Sequence, residues 1–435
     1  MSTEVASRTA DASVSAGEPA PPGRAGPQRR RITVILASVL GPVAVATVLG
    51  LLTLWPSGEL PRTGIVEVDA EYPTARITST SEDACAGENE DRRPDGSIPA
   101  SVPCTLITTT VTSSEAAGQT VEVWAPATLR ARDLPPGTEL VLVRYLATDT
   151  EPEVWGWYDY SRSLPLGLLA GAYALVVIAV AGIRGFRSLL GLAFAFVVIA
   201  KFMLPALLEG RDALAVGLVA SSAIMLVALY LAHGLSRRTT TALVGTYAGL
   251  GVTAVLGVIA ANTAHLAGVG TEDKYRLAML TGNLDGTALR GLFLAGVVLA
   301  GLGVLNDVTI TQAAAVWELR EADPLATRRQ LFARGMRIGR DHIASTVYTV
   351  AFAYAGAALP LLLLIQVYRY PLMQTIQTGE FAEEIARTAV GSIGLVLAIP
   401  LTTVIAALVV TAEPARTTPR HRHPRPVEAG HAHTH

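Results

Sequence analysis

Residues 289–314 read LRGLFLAGVVLAGLGVLNDVTITQAA. Apart from Arg290 and Asp307, the run carries no charge. About 20 predominantly apolar residues cross a ~30 Å hydrocarbon core as a helix, and a soluble core does not need runs this long. Asp307 lies about 17 residues from the outer end of the run, roughly 25 Å deep at 1.5 Å per residue. A carboxylate in the inner half of a bilayer is expensive, so Asp307 and its neighbour Asn306 require an explanation.

Seven further apolar runs surround this one: Ile32–Trp55, Leu164–Ile183, Leu189–Leu208, Leu214–Leu235, Thr241–Leu266, Ile343–Val367 and Val390–Val410. The expected fold is therefore a membrane α-helical bundle of about eight transmembrane helices. The composition agrees: 51% of the chain is hydrophobic and 16% charged, against roughly 25% charged in soluble domains. A net charge of −2 supplies no global basic field for nucleic acid. Basic residues instead concentrate on alternate loops. Arg29–Arg31, Arg184 and Arg187, Arg237 and Arg238, the segment from Arg328 to Arg340, and Arg416–Arg425 fall on one side of an eight-span bundle. The positive-inside rule then places both termini in the cytoplasm and residues 56–162 outside.

This divides the chain into a cytoplasmic tail (1–31), a transmembrane anchor (32–55), an extracytoplasmic β domain (56–162), a seven-helix domain (163–412) and a His-rich cytoplasmic tail (413–435). The outer segment has period-two alternation in Ile65–Ala70, Ala75–Thr80, Thr105–Thr112, Thr120–Trp124 and Glu139–Leu146, the pattern of strands with one buried face. Five short strands make a small barrel or sandwich, with an OB-like barrel among the forms available. Cys85 and Cys104 both fall in this segment. Outside the cell they form a disulfide closing a loop; the alternative is two unpaired small residues. Residues 316–341 form the longest cytoplasmic loop, or a basic helix lying on the inner leaflet.

Small residues place Gly296, Ala300, Gly303, Asp307 and Thr311 on one helical face, which lets another helix approach and turns the carboxylate into the bundle. The seventh run supplies a facing seam of Ser345, Thr349, Ala353, Gly356 and Pro360, with Arg337, Arg340, Asp341 and His342 as a polar cluster at its cytoplasmic start. Asp307, Asn306, Thr311, Ser345 and Thr349 are the candidate ion or proton site, and a structural network tying helices together is the competing reading. Lys201 is either a buried charge or a snorkelling one about 11 Å below the surface. A direct pair with Asp307 is disfavoured by a depth difference of about 14 Å. The chain lacks G-x-x-x-x-G-K-[ST], H-E-x-x-H and Cys-x-x-Cys motifs. No enzyme activity, cofactor or metal is expected.

Leu280-Thr-Gly-Asn-Leu-Asp285, Gly301-Leu-Gly-Val-Leu-Asn-Asp-Val-Thr309, Arg337-Ile-Gly-Arg-Asp-His342, Tyr348 to Gly356, and Leu359-Pro360 together resemble the YibE/F-like family of bacterial multi-pass membrane proteins. The resemblance spans roughly residues 160–412. It implies one anchor, one outer β domain and a helical bundle in a bacterial cell membrane, and it implies no particular mechanism. Many members carry Asn in an Asn-Thr-Leu pattern near Tyr348, where this chain has Tyr348-Thr349-Val350. The functional expectation is a transporter or permease of a small solute or ion that uses Asp307. The alternative is a membrane scaffold or sensor whose outer domain binds a partner. Beyond the lipid bilayer, the sequence names no partner and no oligomeric state.

Overall fold

A computed structural model describes residues 27–58, 70–86, 91–93, 95–147, 152–266, 286–369 and 371–412. Both tails, the expected strand at 65–69 and the Leu280–Asp285 motif lie outside these residues. The elements in order are α1 (Pro27–Thr53), β1 (Ala70–Glu71), β2 (Thr74–Cys85), β3 (Val102–Val111), β4 (Thr120–Trp124), β5 (Glu139–Tyr145), β6 (Val154–Tyr160), α2 (Ser163–Val198), α3 (Leu204–Leu208), α4 (Ala213–His233), α5 (Arg237–Thr263), α6 (Gly286–Ala322), α7 (Arg328–Ala357), α8 (Leu359–Tyr368), α9 (Leu372–Ile376) and α10 (Gly379–Thr411). The chain forms two compact units. One holds the strands and most of α2; the other holds α1 and the helices from Phe194 onward.

In the first unit the strands form one antiparallel sheet, with β2 paired to both β3 and β5, β4 to β3, and β1 and β6 to β5. Alternation decides which face is inside. Ala75 and Ile77 on β2, Ile107 and Val111 on β3, and Leu140 and Leu142 on β5 are buried together. Burying each large aliphatic side chain contributes about 1.5–3 kcal/mol. Thr109 enters this apolar layer because its hydroxyl donates to Val121 O at 3.0 Å. Cys85 and Cys104 are bonded across β2 and β3, with Cα atoms 5.8 Å apart. Four of the five expected strands coincide with observed ones, whereas the expected 65–70 strand is described only at Ala70. β6 was not expected. Its run VWGWYDY pairs with β5 through a bulge between Val141 and Leu142, and Trp155, Trp157 and Tyr160 pack on the core.

Arg144 ties the turn end of this hairpin to β1. Its guanidinium donates to Glu71 at 3.0 Å and to Glu153 at 3.1 Å and lies 5.4 Å over the Trp155 ring. The hydrogen bond from Arg144 holds the Glu153 carboxyl below the usual glutamate range.

In the second unit, glycines and threonines bring α5, α6 and α10 into close contact. A Cβ on Gly245 would meet Thr402 Oγ1, and one on Gly249 would sit 2.8 Å from Leu305 Cδ2 and 3.0 Å from Ala398 Cβ. A Cβ on Gly394 would sit 2.0 Å from Thr253 Oγ1. Backbones approach this closely only where side chains are small, the usual basis of helix association in lipid. α4 packs on α6 in the same way, a Cβ on Gly217 falling 3.0 Å from Ala295 Cα. Thr47 on α1 and Ser222 on α4 share a buried hydrogen bond of 2.6 Å, and Thr246 on α5 bonds Thr309 on α6 at 2.6 Å.

Among the described residues, six helices are long and apolar enough to cross a membrane: Arg30–Leu54, Ser163–Leu208, Ala213–His233, Arg237–Thr263, Leu289–Ala322 and Gly379–Thr411. They cover seven of the eight expected runs, because Ser163–Leu208 contains two. Gly182 breaks it at φ 60 and ψ −139, a conformation available to glycine. Leu164, Leu168, Leu175 and Val180 on this helix all face outward, as in a span surrounded by lipid. The remaining run, Ile343–Val367, is divided between α7 and α8 at Ala358, with Pro360 opening α8.

The structure corrects the expected loop at 316–341. α6 continues to Ala322 and α7 starts at Arg328. Thr327 caps α7 in a reciprocal box with Gln330. The arginines there decorate helix ends. Lys201 is exposed, so the buried-charge expectation does not hold in the described unit. It sits in a π-helical turn, Ile199–Met203, whose buried residues are Phe202 and Met203. Pro205 has no N–H to offer Lys201 O, which accounts for the local widening.

Candidate functional site

α6, α7 and α10 meet at two levels. At the lower level, Gln312 on α6 is 3% exposed. Its Nε2 donates to Gly335 O at 2.9 Å on α7 and to Thr403 Oγ1 at 2.7 Å on α10. Gly335 and Gly339 make room for this amide, since a Cβ on Gly339 would lie 3.2 Å from Gln312 Oε1 and 2.6 Å from Ile399 Cγ2. Sequence reading placed Gln312 in a polar stretch but not at a three-helix junction.

At the upper level the three helices separate and leave a cavity of about 250 Å3. Its wall comes from Ala300, Gly301 and Val304 on α6, Thr349, Val350, Ala353 and Tyr354 on α7, and Arg387, Thr388 and Gly391 on α10. Asp307 lies between these levels. It is three positions on from Val304, about 4.5 Å along the helix. The antiparallel stretch of α7 beside it, between Gly339 and Thr349, contains His342 and Ser345.

Among the described residues, nothing covers the face carrying Asp307. Ala300, Gly303, Asp307 and Thr311 are all exposed. A Cβ on Gly296 or Gly303 would meet nothing within 4 Å. α6 instead packs through Leu302, Leu305, Val308, Thr309 and Val316. The expectation that the small-residue face receives a helix, turning the carboxylate into the bundle, is thus corrected. The aliphatic and threonine side chains of the opposite stripe make the helix contacts, and Asp307 stands outside them. Among the described residues its carboxylate has no hydrogen bond or ion pair, so none of them makes it the tie of a structural network.

The other expected site residues divide. Thr349 lines the cavity, and its hydroxyl donates to Ser345 O at 3.2 Å. Thr311 donates back to Asp307 O at 2.8 Å. Ser345 is exposed on α7. Asn306 is half-buried, with its Oδ1 buried and without a partner among the described residues. His342 is likewise half-buried with an unpartnered Nε2, while Arg337, Arg340 and Asp341 are exposed and form no ion pair with one another. Nearby basic contacts run elsewhere, from Arg334 to Asp323 at 3.0 Å and from Arg328 to Thr411 at 3.0 Å.

Arg387, Tyr354 and Thr388 were not among the expected site residues. Arg387 precedes the expected last span, Val390–Val410, but α10 begins at Gly379 and carries it into the helix.

A family model described as YibE/F-like protein matches residues 169–412, more than half of the chain. That region contains α4 to α10 and the whole cavity. Neither the curated proteins nor the solved structures yielded a match.

Proposed function

This chain belongs to the YibE/F-like family, and from that premise we propose that it is a membrane transporter or permease in which Asp307 takes up and releases the coupling proton or ion. The observation that carries this reading is the placement of Asp307. Among the described residues it is an unpaired carboxylate on an uncovered helix face, one helical turn from a cavity between three helices. A bare carboxylate against lipid is strongly disfavoured, so such a face belongs beside water or a polar path. The hydroxyls of Thr311, Ser345 and Thr349 continue that path along α6 and α7.

The proposal has eight crossings, with α7 and α8 together forming the seventh and Gly182 dividing the second from the third. Both termini are cytoplasmic, and residues 56–162 face outward from the cell membrane. The disulfide supports an outer location, because such bonds persist in oxidising compartments. For the sheet, a partly open OB-like barrel is favoured by β2 joining the β2–β3–β4 meander to the β5–β6 hairpin, which leaves β4 and β6 as the two edges.

The test is modification by dicyclohexylcarbodiimide, an apolar reagent that attacks protonated carboxyl groups. Peptide mapping of the protein in membranes should find Asp307 modified, and Asp307→Asn should remove that adduct alone. If Asp307 stays unmodified while control carboxyls react, it does not lie on an accessible path.

A further inference from the structure

The upper cavity has a chemistry of its own. Most of its wall is aliphatic or backbone, from Ala300, Val304, Val350, Ala353 and Gly391. One end carries a cation, Arg387, about 12 Å along α10 from Gly379. Its Nη1 donates to Glu384 at 2.9 Å, and its guanidinium lies 5.8 Å from the Phe293 ring centre. Nε is buried and has no acceptor among the described residues. The guanidinium thus keeps N–H capacity that no described residue fills, and a carboxylate is the group that pairs with it best.

Size narrows the occupant. An aliphatic cavity of roughly 150 Å3 takes up benzene, so a cavity of about 250 Å3 accommodates one ring or a branched chain together with a carboxylate. Pockets of this kind bind by apolar contact and take orientation from a few polar groups.

We infer that the cavity between α6, α7 and α10 is a binding site for a small carboxylate with an apolar body, its anionic end on Arg387 and its body against Val304, Val350 and Ala353. The inference rests on the transport reading only for its meaning as a substrate class; the binding itself is independent of flux. It places the apolar end of the site, at Val304, one helical turn from Asp307 along α6, with the anionic end further off at Arg387, which lies against Phe293.

The experiment titrates benzoate, and its uncharged analogue benzamide, into the full chain in lipid nanodiscs, with empty nanodiscs subtracted. Saturable benzoate binding is expected, with benzamide at least ~10-fold weaker and Arg387→Gln reducing benzoate affinity at least ~10-fold. Ala353→Phe, which fills the cavity without touching the cation, should abolish binding and decides the matter if Arg387→Gln does not fold. Equal binding of benzoate and benzamide overturns the inference. So does absence of benzoate binding, or wild-type affinity in a folded Arg387→Gln or Ala353→Phe protein. If benzoate binds as expected but Asp307→Asn leaves proton-linked flux intact, the transport reading fails and the anion site stands. If Asp307-dependent flux is found for other solutes while benzoate does not bind, the anion assignment alone fails.

Discussion

The position of α10 sets the cavity, since Arg387, Thr388 and Gly391 all lie on it, and Gly394 is where α10 touches α5 most closely. Replacing Gly394 by alanine would put a Cβ 2.0 Å from Thr253 Oγ1 and 3.3 Å from Thr253 Cβ. Thr253 is completely buried, and its hydroxyl donates to Gly249 O at 3.0 Å. It can escape only by turning χ1, which gives up that bond, or by the helices moving apart. Overpacking of this kind costs about 1–3 kcal/mol, and the loss of the hydroxyl bond adds about 0.6 kcal/mol in a membrane. The better helix propensity of alanine offsets up to about 1 kcal/mol. Gly394→Ala should therefore destabilise by about 1–2.5 kcal/mol. Thr253→Ala removes the obstructing oxygen, so the double variant should be at least ~1 kcal/mol more stable than the sum of the singles requires. Gly303→Ala, on the open face, should be neutral or slightly stabilising. The assay is reversible unfolding in mixed micelles followed by far-UV circular dichroism. Additivity within ~0.5 kcal/mol, or equal effects at Gly394 and Gly303, would refute the packing of α5 on α10.

Gln312→Leu should cost about 1 kcal/mol in the same assay, from two membrane-buried hydrogen bonds of about 0.6 kcal/mol each. Cys85→Ser should destabilise the antiparallel sheet by about 3 kcal/mol, as expected for a closed loop of this length, read as a drop in the melting temperature of that unit. Acidification should loosen the β5–β6 hairpin. Glu153 has a depressed pKa, so its contribution is fully present above the ordinary glutamate value and is lost as the pH falls through the depressed one. Trp155 fluorescence should report that transition, and Glu153→Gln should remove it.

Much of this fold was legible because lipid imposes length. Runs such as Thr241–Leu266 and Val390–Val410 lie within α5 and α10 with ends shifted by a few residues, and Leu140 and Leu142 announced a strand by alternation. β6 escaped because VWGWYDY adjoins a span and its aromatic run does not alternate clearly between apolar and polar. The arginines of residues 328–340 suggested a loop, yet capping at Thr327 and close contact at Gly335 make the segment helical. Arg387 was missed for a similar reason, since a charge was taken to end a span that in fact begins before it. The Asp307 face shows the limit of periodicity. Small residues at Gly296, Ala300 and Gly303 mark a face that permits close approach, and only tertiary structure tells whether another helix takes the place. Gln312 gave no sequence signal for its two partners, which lie 23 and 91 residues away.

The most direct test of the account is proton movement in proteoliposomes containing a trapped pH-sensitive dye, driven by imposed gradients of candidate solutes, with wild type compared against Asp307→Asn. The account predicts solute-linked proton flux in the wild type and its loss in a folded Asp307→Asn protein, with Asp307→Glu retaining part of it. Undiminished proton-linked flux in Asp307→Asn would contradict it.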